Sequence, residues 1–238
     1  MEPALATTPH LPSRRSRSWI VNGCTSLNLV LGMATVFLSC HGYLQTAAFC
    51  LLGSVLWDAA DGFLARRWQV ASDFGAQLDS LADMTSFAVG GGAFVYGWFA
   101  PALPLWVCLP IACWFALCGA WRLARFNTGP KLVGEFYGLP TTAVATLLAV
   151  IYLTCPQLAS WPGALLASVL AWLMVSPLPY PKYTRFTEMP IWMLMMLPLM
   201  GWYRFTVTIW TLTIVYLLSG PIIWWRRRSQ ELQDAALT

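Results

Sequence analysis

Apolar residues occur along this chain in long runs that are separated by short polar or basic stretches. The longer runs approach the roughly 20 residues that an α-helix needs to cross a bilayer. Because backbone groups in lipid must pair internally and no alternation typical of a β-barrel is present, the runs predict helices. The predicted fold is an all-α polytopic transmembrane bundle of eight helices, over residues 24–40, 44–65, 77–98, 104–125, 138–155, 160–177, 187–201 and 205–225.

The remaining segments are too short to predict a second domain. Residues 1–18 are polar and Arg-rich, lack the apolar core of a secretory signal, and are predicted to form a flexible basic cytoplasmic arm. Residues 19–228 are predicted to form one membrane-embedded domain, followed by a short tail over 229–238.

Basic residues mark one side of the predicted bundle. Lys and Arg concentrate in cytoplasmic loops near helix ends, and here 13 of the 14 fall on one side, with Arg204 alone on the other. Both termini are therefore predicted to be cytoplasmic. Since the basic residues form clusters beside the membrane rather than one soluble face, they indicate contact with anionic lipid headgroups and not with nucleic acid.

The composition agrees with a membrane protein. Hydrophobic residues make up 58% of the chain and charged residues 10%, against about 25% charged in soluble domains. The seven cysteines form no CxxC pair and lie in or beside apolar runs, so we interpret them as small buried residues. The two histidines are isolated in the sequence, which argues against a histidine metal site.

Half of the ten acidic residues lie within 26 consecutive positions. Asp58 and Asp61 are three residues apart and Asp79 and Asp83 are four apart, so each pair projects from one helical face. Carboxylates near a membrane are costly unless they are paired or bound to metal. Hard oxygen ligands suit Mg²⁺ or Mn²⁺, so the cluster predicts a divalent metal site. Asp73 is interpreted as an exposed helix-capping residue.

The neighbours of these aspartates are typical of phosphate binding. Gly62 removes a side chain beside Asp61, Ala65 keeps the next turn narrow, and Arg66 provides a cation for a phosphoryl oxygen. Gly75 opens the following helix in the same way. Metal ions with an adjacent arginine are typical of phosphoryl transfer. The alternative is an ion-coupled transporter, in which membrane carboxylates form a relay.

The same residues resemble the signature of the CDP-alcohol phosphotransferase family, which matches here at Asp58, Asp61, Gly62, Ala65, Arg66, Gly75, Asp79 and Asp83. Members of that family transfer a substituted phosphate from a CDP-linked donor to an alcohol and release CMP. The resemblance implies two divalent cations, one held by Asp58, Asp61 and Asp79 and the other by Asp58, Asp79 and Asp83. It also implies that Asp83 is the catalytic general base.

The resemblance further implies a set of donor-binding residues. The stretch from Asn22 to Asn28 is similar to the family's entry into its first helix, which lies near the nucleotide. The residues predicted in this way to contact the CDP-linked lipid are Gly62, Ala65, Arg66, Ser72, Gly75, Thr25 and Asn28.

Three later segments, 122–127, 136–140 and 174–181, resemble the phosphatidylserine synthase branch, which uses CDP-diacylglycerol and L-serine. Arg122, Arg125 and Asn127 are candidates for binding the acceptor's carboxylate, the alternative being ordinary membrane anchors. Thr141 and Thr142 stand where a more Pro/Ala-rich sequence is expected. Choline, glycerol phosphate or an inositol phosphate remain alternative acceptors. The resemblance also implies a homodimer. The predicted location is a prokaryotic cytoplasmic membrane, and the active site is predicted to face the cytoplasm because the aspartates lie at the cytoplasmic ends of the second and third predicted helices.

Overall fold

A computed structural model describes residues 13–128, 135–181 and Pro221. Within these residues the chain is almost entirely helical. The helices are α1 (Arg14–Cys40), α2 (Leu44–Trp68), α3 (Asp73–Asp83), α4 (Gly90–Phe99), α5 (Leu105–Thr128), α6 (Thr141–Thr154) and α7 (Ser160–Val175). A π-helical turn, Met84–Val89, joins α3 to α4 without a break, so these three elements form one continuous helical rod.

The described helices correspond to the first six predicted spans. The rod from Asp73 to Phe99 replaces the predicted helix 77–98, and α1 begins at Arg14, ten residues before the predicted 24–40. Residues 14–18 of the predicted flexible arm are therefore helical. The predicted helices 187–201 and 205–225 lie outside the described residues.

Several helices have the length and composition of membrane spans. Among the described residues, α1, α2 and α5 are each long and apolar enough to cross a bilayer, and α6 and α7 are shorter apolar helices. Large apolar side chains point outward, for example Leu56 on α2 and Trp106 on α5. Such exposure would be unusual in water and is expected for surfaces that contact lipid. The chain is therefore a helical membrane protein.

Helices α1 and α2 form a closely packed antiparallel pair. A tight turn joins them, in which Gly42 has φ +79° and its N–H donates to Ser39 O at 3.1 Å. Glycine adopts this left-handed conformation without the strain that a side chain causes. The turn brings α2 back along α1, so that residues near the two distant ends of the pair lie side by side.

The centre of the bundle lies where α4, α5, α6 and α7 meet. Fully buried side chains there include Phe94, Phe115, Leu148 and Met174. Small residues allow α4 and α5 to approach closely: a Cβ atom added to Gly92 would lie 2.8 Å from Ala112 O. Because lipid removes most of the hydrophobic driving force, such close packing is a main source of helix association in membranes.

Two short strands join the segment before α6 to the segment after α7. Strand β1 (Glu135–Tyr137) precedes α6 and runs antiparallel to β2 (Pro179–Pro181), which follows α7. Gly138, at φ +80°, donates from its N–H to Leu178 O at 2.9 Å. The sequence did not predict this pairing, although β2 lies within one segment that carried the family resemblance and β1 overlaps another.

Candidate active site

The two pairs of aspartates lie on α2 and α3, which are joined by residues 69–72. Gln69 adopts a left-handed conformation at φ 53° and ends α2, with its N–H donating to Arg66 O at 3.4 Å. Ser72 is the N-cap of α3, where its Oγ accepts a hydrogen bond from Gly75 N at 3.1 Å. Asp73, the first residue of α3, is exposed as predicted, but the capping side chain is that of Ser72.

The four predicted metal ligands come together. Carboxylate oxygens of Asp58, Asp61 and Asp79 all lie within 4.8 Å of one another. The carboxyl group of Asp83 lies within hydrogen-bonding distance of Asp58. Asp58 therefore lies next to each of the other three aspartates of the cluster.

The cluster has the chemistry of a site for divalent cations. Four acidic side chains share a small, partly buried volume, where their charges repel one another unless a cation neutralises them. Among the described residues, the buried Oδ1 of Asp79 has no hydrogen-bond partner and so remains available as a ligand. Carboxylate oxygens at these spacings suit hard cations, so the cluster could hold a metal ion.

Two polar side chains of α1 contact the cluster from the opposite wall. Thr25 Oγ1 donates to Asp61 Oδ2 at 2.6 Å, and Asn28 Nδ2 donates to Asp83 Oδ1 at 3.3 Å. Thr25 and Asn28 are three residues apart and so lie on one face of α1. Their hydrogen bonds hold one member of each aspartate pair.

A pocket of about 170 Å³ opens beside the cluster, between α1, α2 and the start of α3. It combines carboxylates, small residues and hydroxyls. Its lining consists of Val21, Asn22, Thr25, Asp61, Gly62, Ala65, Val70, Ala71, Ser72, Gly75, Ala76 and Asp79. Of the predicted donor-binding residues, five line this pocket, whereas Arg66 and Asn28 are not among its lining residues.

Asn22 is a pocket residue that begins the stretch predicted to lie near the nucleotide but was not itself predicted as a donor-binding residue. Its Oδ1 faces Gly75, where an added Cβ atom would lie 3.4 Å from Asn22 Oδ1 and 3.2 Å from Ser72 Oγ. The signal was present, because Asn22 precedes Thr25 by three residues and so shares its helical face. The absence of a side chain at Gly75 keeps this end of the pocket open.

The guanidinium group of Arg66 lies over the bare backbone of Gly62. A Cβ atom on Gly62 would lie 3.4 Å from Arg66 Nη1 and 3.7 Å from Nη2. Gly62 lines the pocket, and Arg66 is exposed one helical turn later. The guanidinium group of Arg66 therefore lies against the helix surface at the rim of the pocket.

Arg122, on α5, lies beside the aspartate cluster but is not among the residues that line the pocket. Its side chain is buried, and Nη1 donates to Thr141 Oγ1 at 3.1 Å. The guanidinium carbon lies 5.7 Å from the centre of the Phe126 ring, within the range of a cation–π contact. Arg122 is also close enough to Asp58 and Asp83 to interact with them electrostatically. It is thus a buried cation beside the acidic cluster.

Arg125 and Asn127, predicted with Arg122 as acceptor-binding residues, make other contacts. Arg125 donates to three carbonyl oxygens at the end of α7, those of Val175 at 2.9 Å and of Met174 and Ser176 at 3.4 Å each. Asn127 Nδ2 donates to Ser80 Oγ at 2.9 Å. These hydrogen bonds connect the end of α5 to α7 and to α3.

Comparison with known proteins agrees with this geometry. Residues 19–179 match the family model of CDP-alcohol phosphatidyltransferases. A Methanocaldococcus jannaschii protein named CDP-diacylglycerol–serine O-phosphatidyltransferase is 37% identical over 160 residues, which are 67% of this chain and 72% of that relative. A Bacillus subtilis protein of the same name is 25% identical over 66% of this chain and 87% of its own length.

A third relative carries a different name. The archaetidylserine synthase of Methanothermobacter thermautotrophicus is 31% identical over 158 residues, which are 66% of this chain and 66% of that protein. The three relatives thus share serine in their names and differ in the lipid that is named.

Proposed function

Because this chain belongs to the CDP-alcohol phosphatidyltransferase family, we propose that it transfers a phosphatidyl group from CDP-diacylglycerol to the hydroxyl of L-serine. The products are phosphatidylserine and CMP. The observation that carries this proposal is the convergence of four aspartates beside a pocket with an arginine at its rim. Membership of a transferase family argues against the alternative, an ion-coupled transporter.

The aspartates are proposed to hold two divalent cations, Mg²⁺ or Mn²⁺. Asp58, Asp61 and Asp79, whose oxygens lie within 4.8 Å of one another, would form the first site. Asp58 and Asp79 together with Asp83 would form the second. Cations bound there would neutralise the diphosphate oxygens and so reduce the repulsion that an incoming hydroxyl meets.

The donor is proposed to bind in the pocket between α1 and the start of α3. Arg66 provides a charge-assisted hydrogen bond to a diphosphate oxygen, and Gly62 and Ala65 keep the helix surface narrow enough for close approach. Thr25, Ser72 and Gly75 complete the polar wall. The lipid tails extend from this pocket toward the bilayer, since the helices that line it are membrane helices.

The acceptor is proposed to approach from the side of α5. The serine hydroxyl loses its proton to Asp83 while its oxygen forms a bond to the phosphorus that bears diacylglycerol. The bond from that phosphorus to the CMP oxygen breaks, and CMP leaves with the electron pair. Arg122, buried beside Asp58 and Asp83, is the residue that we propose to bind the serine carboxylate.

The contacts of the other two acceptor candidates favour a supporting role. Arg125 is bound to the carbonyl oxygens of α7 and Asn127 to Ser80, so we assign them to fixing α5 beside its neighbours. The cytoplasmic orientation of the site, a prokaryotic cytoplasmic membrane and a homodimer remain proposals that follow from the basic loops and the family resemblance.

The experiment that tests the function is CMP release by the purified protein in detergent. The protein receives CDP-diacylglycerol, Mn²⁺ or Mg²⁺, and in separate reactions L-serine, choline, glycerol 3-phosphate or inositol 1-phosphate. Release that depends on both L-serine and metal is expected. CMP release with another alcohol but not with L-serine would refute the choice of acceptor. A folded protein that releases no CMP with any combination of alcohol and metal would refute the proposed enzymatic activity.

A second donor is favoured by one observation, the similarity to an archaetidylserine synthase. The same assay with an ether-linked CDP-archaeol distinguishes the two donors. A higher kcat/KM with the ether lipid would assign this chain to the archaetidyl donor and leave the metal site and the acceptor unchanged.

A further inference from the structure

The backbone carbonyl oxygen of Asn28 accepts hydrogen bonds from hydroxyls of two other segments. Ser86 Oγ, in the π-helical turn, donates at 2.9 Å, and Ser54 Oγ, on α2, lies at 3.3 Å while also lying 3.1 Å from Cys50 O. Asn28, Ser54 and Ser86 are all fully buried. One peptide oxygen therefore joins α1, α2 and the rod that carries Asp79 and Asp83.

The backbone of the π-helical turn packs closely against the backbone of α1. A Cβ atom added to Gly32 would overlap Ser86, including its Cα atom. A Cβ atom on Gly90 would lie 3.5 Å from Gly32 O. The turn begins directly after Asp83, and its wider winding changes the direction of the residues that follow. Asp83 can thereby face the acidic cluster while Ser86 faces α1.

The side chain of Asn28 connects this junction to the site. Its Nδ2 donates to Asp83 Oδ1 at 3.3 Å, whereas its buried Oδ1 has no hydrogen-bond partner among the described residues. A buried amide with one unpaired atom is less favourable than an apolar side chain of the same shape. Packing alone therefore does not account for an asparagine here. Asn28 also lies outside the lining of the donor pocket.

We propose that Asn28 is a positioning residue for Asp83, and that the hydroxyl of Ser86, assisted by Ser54, fixes Asn28 in place. The inference rests on the proposed function, in which Asp83 is the general base and a metal ligand. With one carboxylate oxygen held by the amide, rotation of the Asp83 side chain is restricted, and its other oxygen is presented in one orientation. Outer partners of this kind tune metal affinity and activity.

The test uses variants of the full-length protein in detergent. Asn28→Leu keeps a similar shape and removes the donor, and Ser86→Ala removes the hydroxyl. Ser168→Ala is the matched control, because Ser168 Oγ donates at 2.9 Å to Ala164 O within α7, a helix that supplies no aspartate to the cluster. Three quantities are measured for each protein: CMP-release kinetics, Mn²⁺ affinity by electron paramagnetic resonance, and the thermal midpoint.

Asn28→Leu is expected to lower kcat by about 10- to 100-fold and to weaken Mn²⁺ binding, with the KM for CDP-diacylglycerol within about twofold of wild type. Ser86→Ala should change the same quantities in the same direction by less, and Ser168→Ala should change none. A raised KM for the donor with an unchanged kcat would make Asn28 a donor-binding residue and overturn the inference. A fall in the thermal midpoint that accounts for all lost activity would also overturn it.

A double-mutant comparison separates this inference from the proposed function. If Asn28 acts through Asp83, Asn28→Leu should not weaken Mn²⁺ binding further in a protein that already carries Asp83→Asn. Additive losses would refute the link between the two residues. Because Mn²⁺ binding requires no turnover, this result decides the inference even if wild-type protein releases no CMP with any acceptor, an outcome that would refute the proposed function alone.

Discussion

The hydroxyl of Thr25 lies 2.6 Å from Asp61 Oδ2, which makes it the shortest of the described side-chain hydrogen bonds between α1 and α2. Both groups are buried. A short hydrogen bond to a carboxylate is a strong one and restricts the rotation of the side chain that accepts it. Thr25 therefore orients a proposed metal ligand from the other side of the pocket.

Replacing Thr25 with valine should reduce activity without unfolding the protein. Valine has nearly the same shape and removes only the hydroxyl, so Asp61 loses its orienting partner. We expect kcat/KM for CMP release to fall by about tenfold. Thr25→Ser is the matched control and should retain most of the activity, and equal activity in the valine and serine variants would contradict the assigned role.

Neutralising Asp79 or Asp83, the two aspartates of α3 that belong to the cluster, should abolish turnover. Asp79→Asn and Asp83→Asn keep the shape of the side chain and remove its charge, and we expect losses on the order of 10³-fold or more in kcat. Asp73→Asn is the control, since Asp73 is exposed in the first turn of the same helix. Size-exclusion profiles check folding. Near-normal activity in Asp79→Asn or Asp83→Asn would refute the proposed site.

Removal of divalent metal should stop the reaction reversibly. The aspartate cluster holds oxygen ligands only, so a chelator such as EDTA is expected to abolish CMP release, and added Mg²⁺ or Mn²⁺ to restore it. The protein should also gain thermal stability when Mn²⁺ is added, because a ligand that binds the folded state stabilises it. Full activity after exhaustive chelation would show that no metal is needed.

Gly62→Ala should weaken donor binding. Gly62 lines the pocket, so the new methyl group would occupy part of the surface that the diphosphate approaches, while it stays in van der Waals contact with Arg66 Nη1 at 3.4 Å. We expect the KM for CDP-diacylglycerol to rise by about tenfold, with unchanged thermal stability. Gly23→Ala is a matched control, because Gly23 is also within a helix and nothing lies within 4 Å of its added Cβ. Equal KM values in the two variants would contradict the role of Gly62.

Arg122→Ala should weaken serine binding, whereas Arg125→Ala should lower the stability of the fold. Without Arg122 the KM for L-serine is expected to rise by about 10- to 100-fold, with the donor KM unchanged. Without Arg125 the three carbonyl groups at the end of α7 lose their donor, and the free energy of unfolding should fall by about 2 kcal/mol. Steady-state kinetics and thermal unfolding separate the two effects. A raised serine KM in both variants would restore Arg125 as an acceptor-binding residue.

The two aspartate pairs were predictable because the geometry of each pair is local. Spacings of three and four residues place Asp58 with Asp61 and Asp79 with Asp83 on single helical faces, whatever the rest of the bundle does. Long apolar runs likewise predicted six spans that correspond to the described helices, with α3, the π-helical turn and α4 together forming one of them. The start of α1 was missed because its first turn, at Arg14 and Arg15, is basic, and hydropathy does not report a helix that continues beyond the membrane.

Contacts between distant segments were not predictable in the same way. Arg122 and Arg125 stand one helical turn apart with the same chemistry, yet Arg122 contacts Thr141, and Arg125 contacts Val175, 50 residues away. Which partner each long side chain reaches depends on how α6 and α7 pack. The pairing of β1 with β2 depends on the same packing, and each strand is only three residues long, too short to show an alternating pattern.

All four aspartates belong to α2 and α3, two consecutive helices that are joined by residues 69–72 and that both pack against α1. During synthesis the ribosome completes these three helices before Leu105, where α5 begins, so the carboxylates can meet before Arg122 exists to offset their charge. If the proposed cations bind at this stage, metal from the cell would offset the negative charge of the nascent chain. Metal supply would then be a condition for assembly in the membrane as well as for turnover, and cells depleted of magnesium or manganese are expected to accumulate less of the protein.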